Sequence, residues 1–182
     1  QAVAVLGAKV VLVDCCPDKP LIDVEEVKKK LTKKTKVIIP VHLNGRACDL
    51  NELKSIAKDS NILLIEDSCK AFASKSSEGY LGTIGDMGCF SFGMISFLSM
   101  GYAGAVVTSN EQLYHKLRLI RDHGVQRQPE DYKYLGFNFK VSDILSAIGV
   151  AKIRNLQENI EHVTMLYKCY SEGLKDVPFL KI

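Results

Sequence analysis

The sequence predicts an α/β fold on a mainly parallel sheet, and three observations predict it. Short apolar runs alternate with amphipathic segments over the first two thirds of the chain, the pattern of repeated βαβ units. One of those runs, "NILLIED" (Asn61 to Asp67), is apolar without interruption until its acidic end, as expected of a strand buried on both faces. The chain has 182 residues, enough for one well-buried domain and too few for two, and it contains no internal repeat.

The first strand is expected at "KVVLVD" (Lys9 to Asp14), which is rich in β-branched residues. "IDVEEVKKKL" follows as a helix, with Asp23 placed to cap it and two glutamates in its first turn. "KVIIPVHL" is a second strand that ends near Pro40, because proline offers no N–H to a ladder. "DLNELKSIAKDS" is a second helix capped by Asp49, and "NILLIED" is the third strand. Right-handed crossovers then place these strands side by side.

The pattern changes in "SSEGYLGTIGDMG", which is glycine-rich and irregular. "CFSF" and "AGAVVTS" read as two further short strands. "NEQLYHKLRLIRDHG" is a helix with Asn110 as cap and Gly124 as stop. After the polar loop "VQRQPEDYKYLGFN", one long helix is expected from Ser142 to about Leu174, ended by Asp176-Val177-Pro178.

Composition narrows the function classes. The net charge of +3 is too small to argue for a nucleic-acid partner. The lysines of "VKKKLTKKTKV" read as a solvated helix end, with a phosphate-binding patch as the alternative. No apolar run reaches 18 residues, so no membrane-spanning helix is expected. The start "QAVAVLGAKVV" lacks a charged n-region and a cleavage signature. It also opens without methionine in the middle of an apolar pattern, which suggests a fragment. The six cysteines form no CxxC pair and lie mostly in apolar runs, so buried reduced thiols in a cytoplasmic protein are expected, without a disulfide frame or a metal site.

Ligands of open parallel sheets sit beyond the carboxyl ends of the strands. Asp67, at the end of the third strand, is therefore a site candidate, and a helix cap or turn aspartate is the alternative.

Seven segments in order, "LGAKVVLVD", "IIPVHLNGRACDL", "LLIEDSCKAF", "LGTIGDMGCFSF", "GAVVTSN", "LRLIRDHG" and "LGFNFKVSDILSAIG", resemble the DegT/DnrJ/StrS-type nucleotide-sugar aminotransferases. The resemblance runs almost end to end. It implies the three-layer large domain of the aspartate-aminotransferase-like fold (fold type I), truncated at both ends. Residues 1–176 would be the core that binds pyridoxal phosphate (PLP) or pyridoxamine phosphate (PMP), and residues 177–182 the start of a small C-terminal domain. It implies a nucleotide-linked keto sugar and an amino-acid donor as substrates, and a homodimer with shared active sites. Residue by residue, it gives Asp67 the pyridine nitrogen of PLP, which a carboxylate keeps protonated so that the ring can act as an electron sink. It gives Ser91 a hydrogen bond to the cofactor phosphate, and Asn138 a reach to the phosphate in the neighbouring subunit. Read alone, Ser91 is a serine on a small-residue strand and Asn138 is turn chemistry after a glycine. His42 also matches the family, and reads most simply as a satisfied core or turn histidine.

Four departures stand out. The family's Schiff-base lysine lies five positions after the phosphate serine, and here that position is Ser96, with Gly93, Met94, Ser99, Gly101 and Gly104 aligned around it. A serine makes no Schiff base, and its hydroxyl is too weak an acid or base at neutral pH to move the proton. Lys70 stands where the family has a polar residue near the ring hydroxyl, so either it carries a relocated Schiff base or it is a surface lysine or a charge partner. Phe72 replaces a common histidine and makes the pocket wall more apolar. Ala103 replaces a glycine and is tolerable only where φ stays negative.

Three functions compete on this reading: an impaired aminotransferase, a non-catalytic aminotransferase-like scaffold, and a PMP-dependent dehydratase, which needs a base that position 96 does not supply. No GxGxxG follows a strand, which argues against a dinucleotide-binding domain.

Overall fold

The computed structural model describes residues 1–127 and 130–180. In chain order it has α1 (Ala2–Val5), α2 (Val24–Lys30), β1 (Val37–Ile38), α3 (Leu50–Asp59), β2 (Leu63–Asp67), a hairpin of β3 (Lys75–Ser76) and β4 (Gly79–Tyr80), β5 (Met87–Ser91) and β6 (Gly104–Val107). Then come α4 (Glu111–Arg121), a second hairpin of β7 (Val125–Arg127) and β8 (Glu130–Tyr132), α5 (Asp143–Arg154) and α6 (Leu156–Leu174).

The central sheet has the order β1-β2-β5-β6. β1, β2 and β5 run parallel, and β6 returns antiparallel along β5. Parallel pairing needs crossover connections, and α3 supplies the one between β1 and β2. Its start is set by Asp49, whose carboxylate accepts the Glu52 N–H, and that of α2 by Asp23, which accepts from Glu25 and Glu26. Leu50, Leu53 and Ala57 of α3, Val24 and Val27 of α2, and Ile38 and Leu64 of the sheet form one buried core.

Glycine is required where β5 passes under the loop before it. A Cβ on Gly88 would lie 1.8 Å from the Gly82 carbonyl oxygen, so only a residue without a side chain permits this approach. Asp86 fixes the register there, because its carboxylate accepts the Leu64 N–H (2.7 Å) and its own N–H donates to Leu64 (2.9 Å).

Several expectations need correction. Lys9 to Asp14 forms no ladder, because its backbone is used locally: the Leu12 carbonyl takes the Lys30 ammonium and the Asp14 carbonyl takes the Asp23 N–H. β2 is buried on one face, through Leu64 and Glu66. Leu63 on the other face is exposed, and Ile65 and Asp67 are partly so. The long C-terminal helix is two helices, broken at Asn155, whose φ of −102° and ψ of 14° leave the helical region. α6 buries no residue, and α5 buries only Gly149. Cys15 and Cys169 are exposed, while Cys48 is buried. The lysine cluster, by contrast, is the solvated helix end expected: Lys28, Lys29 and Lys30 are exposed in the last turn of α2, where Lys28 bonds Glu25 and Glu52 and Lys29 bonds Glu26. The polar loop holds the β7–β8 hairpin, with residues 128 and 129 outside the described residues. Of the segment expected to open a small domain, Lys181 and Ile182 lie outside them too.

Candidate cofactor site

β2 and β5 are adjacent parallel strands, and their register pairs Asp67 with Cys89, two residues before Ser91. Asp67 and Ser91 are the last residues of the two strands. The site predicted from sequence therefore sits at the carboxyl edge of the sheet, where an open α/β fold places ligands.

Asp67 is held by its own peptide group. Its N–H donates to the Pro40 carbonyl (2.9 Å), and its carbonyl accepts the His42 N–H (3.0 Å). Its Oδ1 accepts the Cys69 N–H at 3.1 Å, a local turn just past the strand end. Burial, and next the Asp67 carboxylate beside it, push the Cys69 thiol up to about 12, so at neutral pH this cysteine is neither a nucleophile nor a base.

Ser91 and Ser96 meet. The Ser96 hydroxyl donates to Ser91 Oγ at 3.2 Å, and the Gly93 N–H donates to the same oxygen at 3.2 Å. The turn that allows this closes through Ser96 N–H to the Gly93 carbonyl (3.0 Å) and Met100 N–H to the Phe92 carbonyl (2.9 Å). A hydroxyl has two lone pairs and one proton. With both lone pairs of Ser91 taken, its proton is left for a further acceptor, a role an anion's oxygen can fill. Asp67 and Ser91 thus fit a ligand with a cationic ring nitrogen and a phosphate. Position 96 offers a hydroxyl and no amine.

The other sequence-predicted residues lie as follows. Phe72 packs edge-on against Phe90 (5.9 Å between centroids) and Phe92 (5.7 Å), which makes an apolar aromatic cluster. Lys70 is exposed in the turn after β2. Asn138 is exposed and bridges Asp122 at the end of α4. It is not drawn into the Asp67–Ser91 edge by any hydrogen bond among the described residues. Ala103 is absent from the described residues with positive φ, so the glycine it replaces is not missed. Among the described residues no group of acidic, histidine and cysteine side chains could hold a metal, and no helix is long and apolar enough to cross a membrane.

Behind Asp67 lies a pair that sequence reasoning half missed. His42, expected to be a satisfied core histidine, is one, and its partner Glu66 went unnoticed. Both side chains are fully buried, and His42 Nε2 lies 2.9 Å from Glu66 Oε2. His42 Nδ1 accepts the Cys48 N–H (3.2 Å), so Nε2 carries the proton and donates it to Glu66. Glu66 also accepts the N–H groups of Gly82 (2.7 Å), Ile84 (2.7 Å) and Gly85 (2.6 Å). Burial raises the Glu66 carboxyl, but His42 and the three amides outweigh it and hold the group below its ordinary value. The available signal was a charged residue on the core-facing side of a buried strand, which always needs partners.

The DegT/DnrJ/EryC1/StrS aminotransferase family profile matches residues 1–182. The chain is 32% identical to the GDP-perosamine synthase of Escherichia coli O157:H7 over 179 residues, 97% of this chain and 49% of that protein. It is also 32% identical to the "Pleiotropic regulatory protein" of Geobacillus stearothermophilus, over 97% of this chain and 48% of that one. The chain therefore spans about half the length of these curated relatives. Among solved structures, the aminotransferase TlmJ from Streptoalloteichus hindustanus superposes with a TM-score of 0.91 at 27% identity, over 99% of this chain and 50% of that one. AtS13 from Actinomadura melliaura superposes with a TM-score of 0.92 at 25% identity, over all of this chain and 52% of that one. The fold is the large-domain α/β fold of the fold-type-I aminotransferases, and the chain belongs to the DegT/DnrJ/EryC1/StrS aminotransferase family.

Proposed function

We propose that this chain is the cofactor-holding portion of a nucleotide-sugar aminotransferase-type protein that binds PLP or PMP reversibly and, with Ser96 in place of lysine, does not carry out transamination. The observation that carries the proposal is the Ser91–Ser96 hydroxyl pair at 3.2 Å. The side chain at the lysine position is turned into the phosphate-donor serine and has no amine to offer. The bound cofactor would supply an electron sink for amino transfer between an amino acid and a keto sugar. Of this chain's residues, Asp67 would hold the ring nitrogen's proton, Ser91 would donate to the phosphate, and Phe72 would line the pocket wall.

In this reading residues 1–176 form the cofactor-binding core and residues 177–182 lead into a small domain. The partners are a nucleotide-linked keto sugar, an amino-acid donor and a second copy of the chain, with Asn138 serving the neighbouring subunit's phosphate. The protein works in the cytoplasm. Relatives named for GDP- and UDP-linked sugars support the substrate class.

The test is to incubate the protein with PLP, treat it with borohydride, which locks the cofactor onto a reacting amine, and map the adduct by peptide mass. The expected result is reversible PLP binding by titration with no site-specific adduct, and an adduct at position 96 in Ser96→Lys. An adduct on Lys70 of the unmodified chain would overturn the loss of chemistry. Failure of the folded protein and of Ser96→Lys to bind PLP at all would favour the scaffold reading.

A further inference from the structure

The fully buried His42–Glu66 pair takes no part in the proposed chemistry, yet it adjoins Asp67 twice, through the next residue of β2 and through the His42 backbone N–H. Glu66 and Asp67 are successive residues of β2, so their side chains leave opposite faces of the sheet. Glu66 is fixed on the core side by four donors: His42 Nε2 and the N–H groups of Gly82, Ile84 and Gly85. His42 grips the same two residues at once, Glu66 through its ring and the Asp67 carbonyl through its backbone N–H (3.0 Å). Pro40, two residues earlier, takes the Asp67 N–H. The ring's other nitrogen is held by the Cys48 N–H, so the imidazole cannot turn without breaking two bonds in the interior.

We propose that His42 is a positioning residue for Asp67: through Glu66 it locks the 40–42 segment onto β2, and this lock sets the direction in which the Asp67 carboxylate meets a cationic ring nitrogen. The inference rests on the proposed cofactor reading. A free carboxylate at a strand end would turn with its peptide, and hydrogen-bond strength falls steeply as geometry departs from linear. Clamping the peptide from one side and the adjacent side chain from the other removes that freedom before a ligand arrives.

The test uses the full chain and ¹⁵N-labelled PLP. His42→Leu removes the ring's donor to Glu66 and its acceptor for the Cys48 N–H, whereas His42→Gln keeps an N–H able to reach Glu66. The expected result is that PLP binds His42→Leu roughly tenfold more weakly. The ring ¹⁵N resonance at saturation should also move toward the unprotonated position, while His42→Gln stays within about threefold of the parent and keeps its shift. A merely structural pair would lower stability without moving the ¹⁵N resonance of the saturated protein, and that outcome would overturn the inference. Should His42→Leu fail to fold, the unmodified chain labelled at histidine serves instead. Adding PLP should shift the His42 ring resonances, and their constancy on saturation would sink the idea. If the unmodified chain binds no PLP, the cofactor reading fails and this inference falls with it. Binding without any His42 dependence defeats the inference alone.

Discussion

Ala73 sits in the left-handed region with φ of 64°, directly after the Phe72 wall. A side chain there costs energy that glycine avoids, so Ala73→Gly is expected to stabilise the protein by about 1 kcal/mol in urea unfolding. The opposite holds at Gly88, whose added methyl would meet the Gly82 backbone. Gly88→Ala should destabilise by about 3 kcal/mol or more, because neither backbone can yield. Glu66 makes stability depend on pH with a definite sign. Its folded carboxyl titrates below its ordinary value of 4.5, so its contribution is complete above pH 4.5 and is lost as pH falls through the lower folded value. Unfolding free energies measured from pH 6 downward should fall more steeply for the parent than for Glu66→Gln. The residues also divide in how readable they were. Ser91 stood out only through the family resemblance, whereas Asp67 could be proposed from its place at the end of an apolar run, with a cap or turn aspartate as the alternative. The Glu66–His42 pair could not, because its partners lie 24 residues apart and only the tertiary fold joins them.

Helix starts were legible where a capping residue marks them. Asp23, Asp49, Asn110 and Ser142 each accept a backbone N–H at the start of the helix that sequence assigned to them. Asp49→Ala should cost about 1 kcal/mol, read by chemical denaturation, since α3 is the helix that covers the sheet. The β3–β4 hairpin escaped notice because two-residue strands carry no period to detect. The break at Asn155 escaped for a different reason. Apolar residues recur on both sides of it at helical spacing, and a single residue outside the helical region does not interrupt that spacing. At Lys9 to Asp14 the β-branched composition predicts a strand that does not form. Composition states nothing about a partner strand, and the segment finds its hydrogen bonds at the two ends of α2 instead, Asp23 and Lys30.

For the molecule as a whole, burial is uneven. The core gathers around α2, α3 and the β1–β2 edge, while α5 and α6 carry exposed Ile144, Ile148, Val150, Ile153, Val163 and Tyr167. A second copy covering that surface would make the homodimer of the proposed function. Sedimentation at micromolar concentration should then show a dimer, which a charge at Ile148 weakens. Thiol chemistry should follow the same unevenness. Cys15 and Cys169 are exposed, Cys48 is buried with its thiol pushed up to about 11, and Cys69 is raised to about 12. Ellman titration at neutral pH should count two fast thiols, with the rest released only on unfolding.

The end of α4 carries one more consequence. Its Ile120 and Arg121 carbonyls are taken by the N–H groups of Phe137 and Phe139, and the His123 N–H returns to Phe137. Gly124 and Gly136 permit the contact, since a Cβ on Gly136 would lie 2.1 Å from the Gly124 nitrogen. The strand of chain bearing Asn138 is therefore splinted to a helix end, and α4 acts as a ruler. Each residue added to it would carry that asparagine about 1.5 Å along the axis and about 100° around it. If Asn138 serves a neighbouring subunit as proposed, its reach is set by the length of α4.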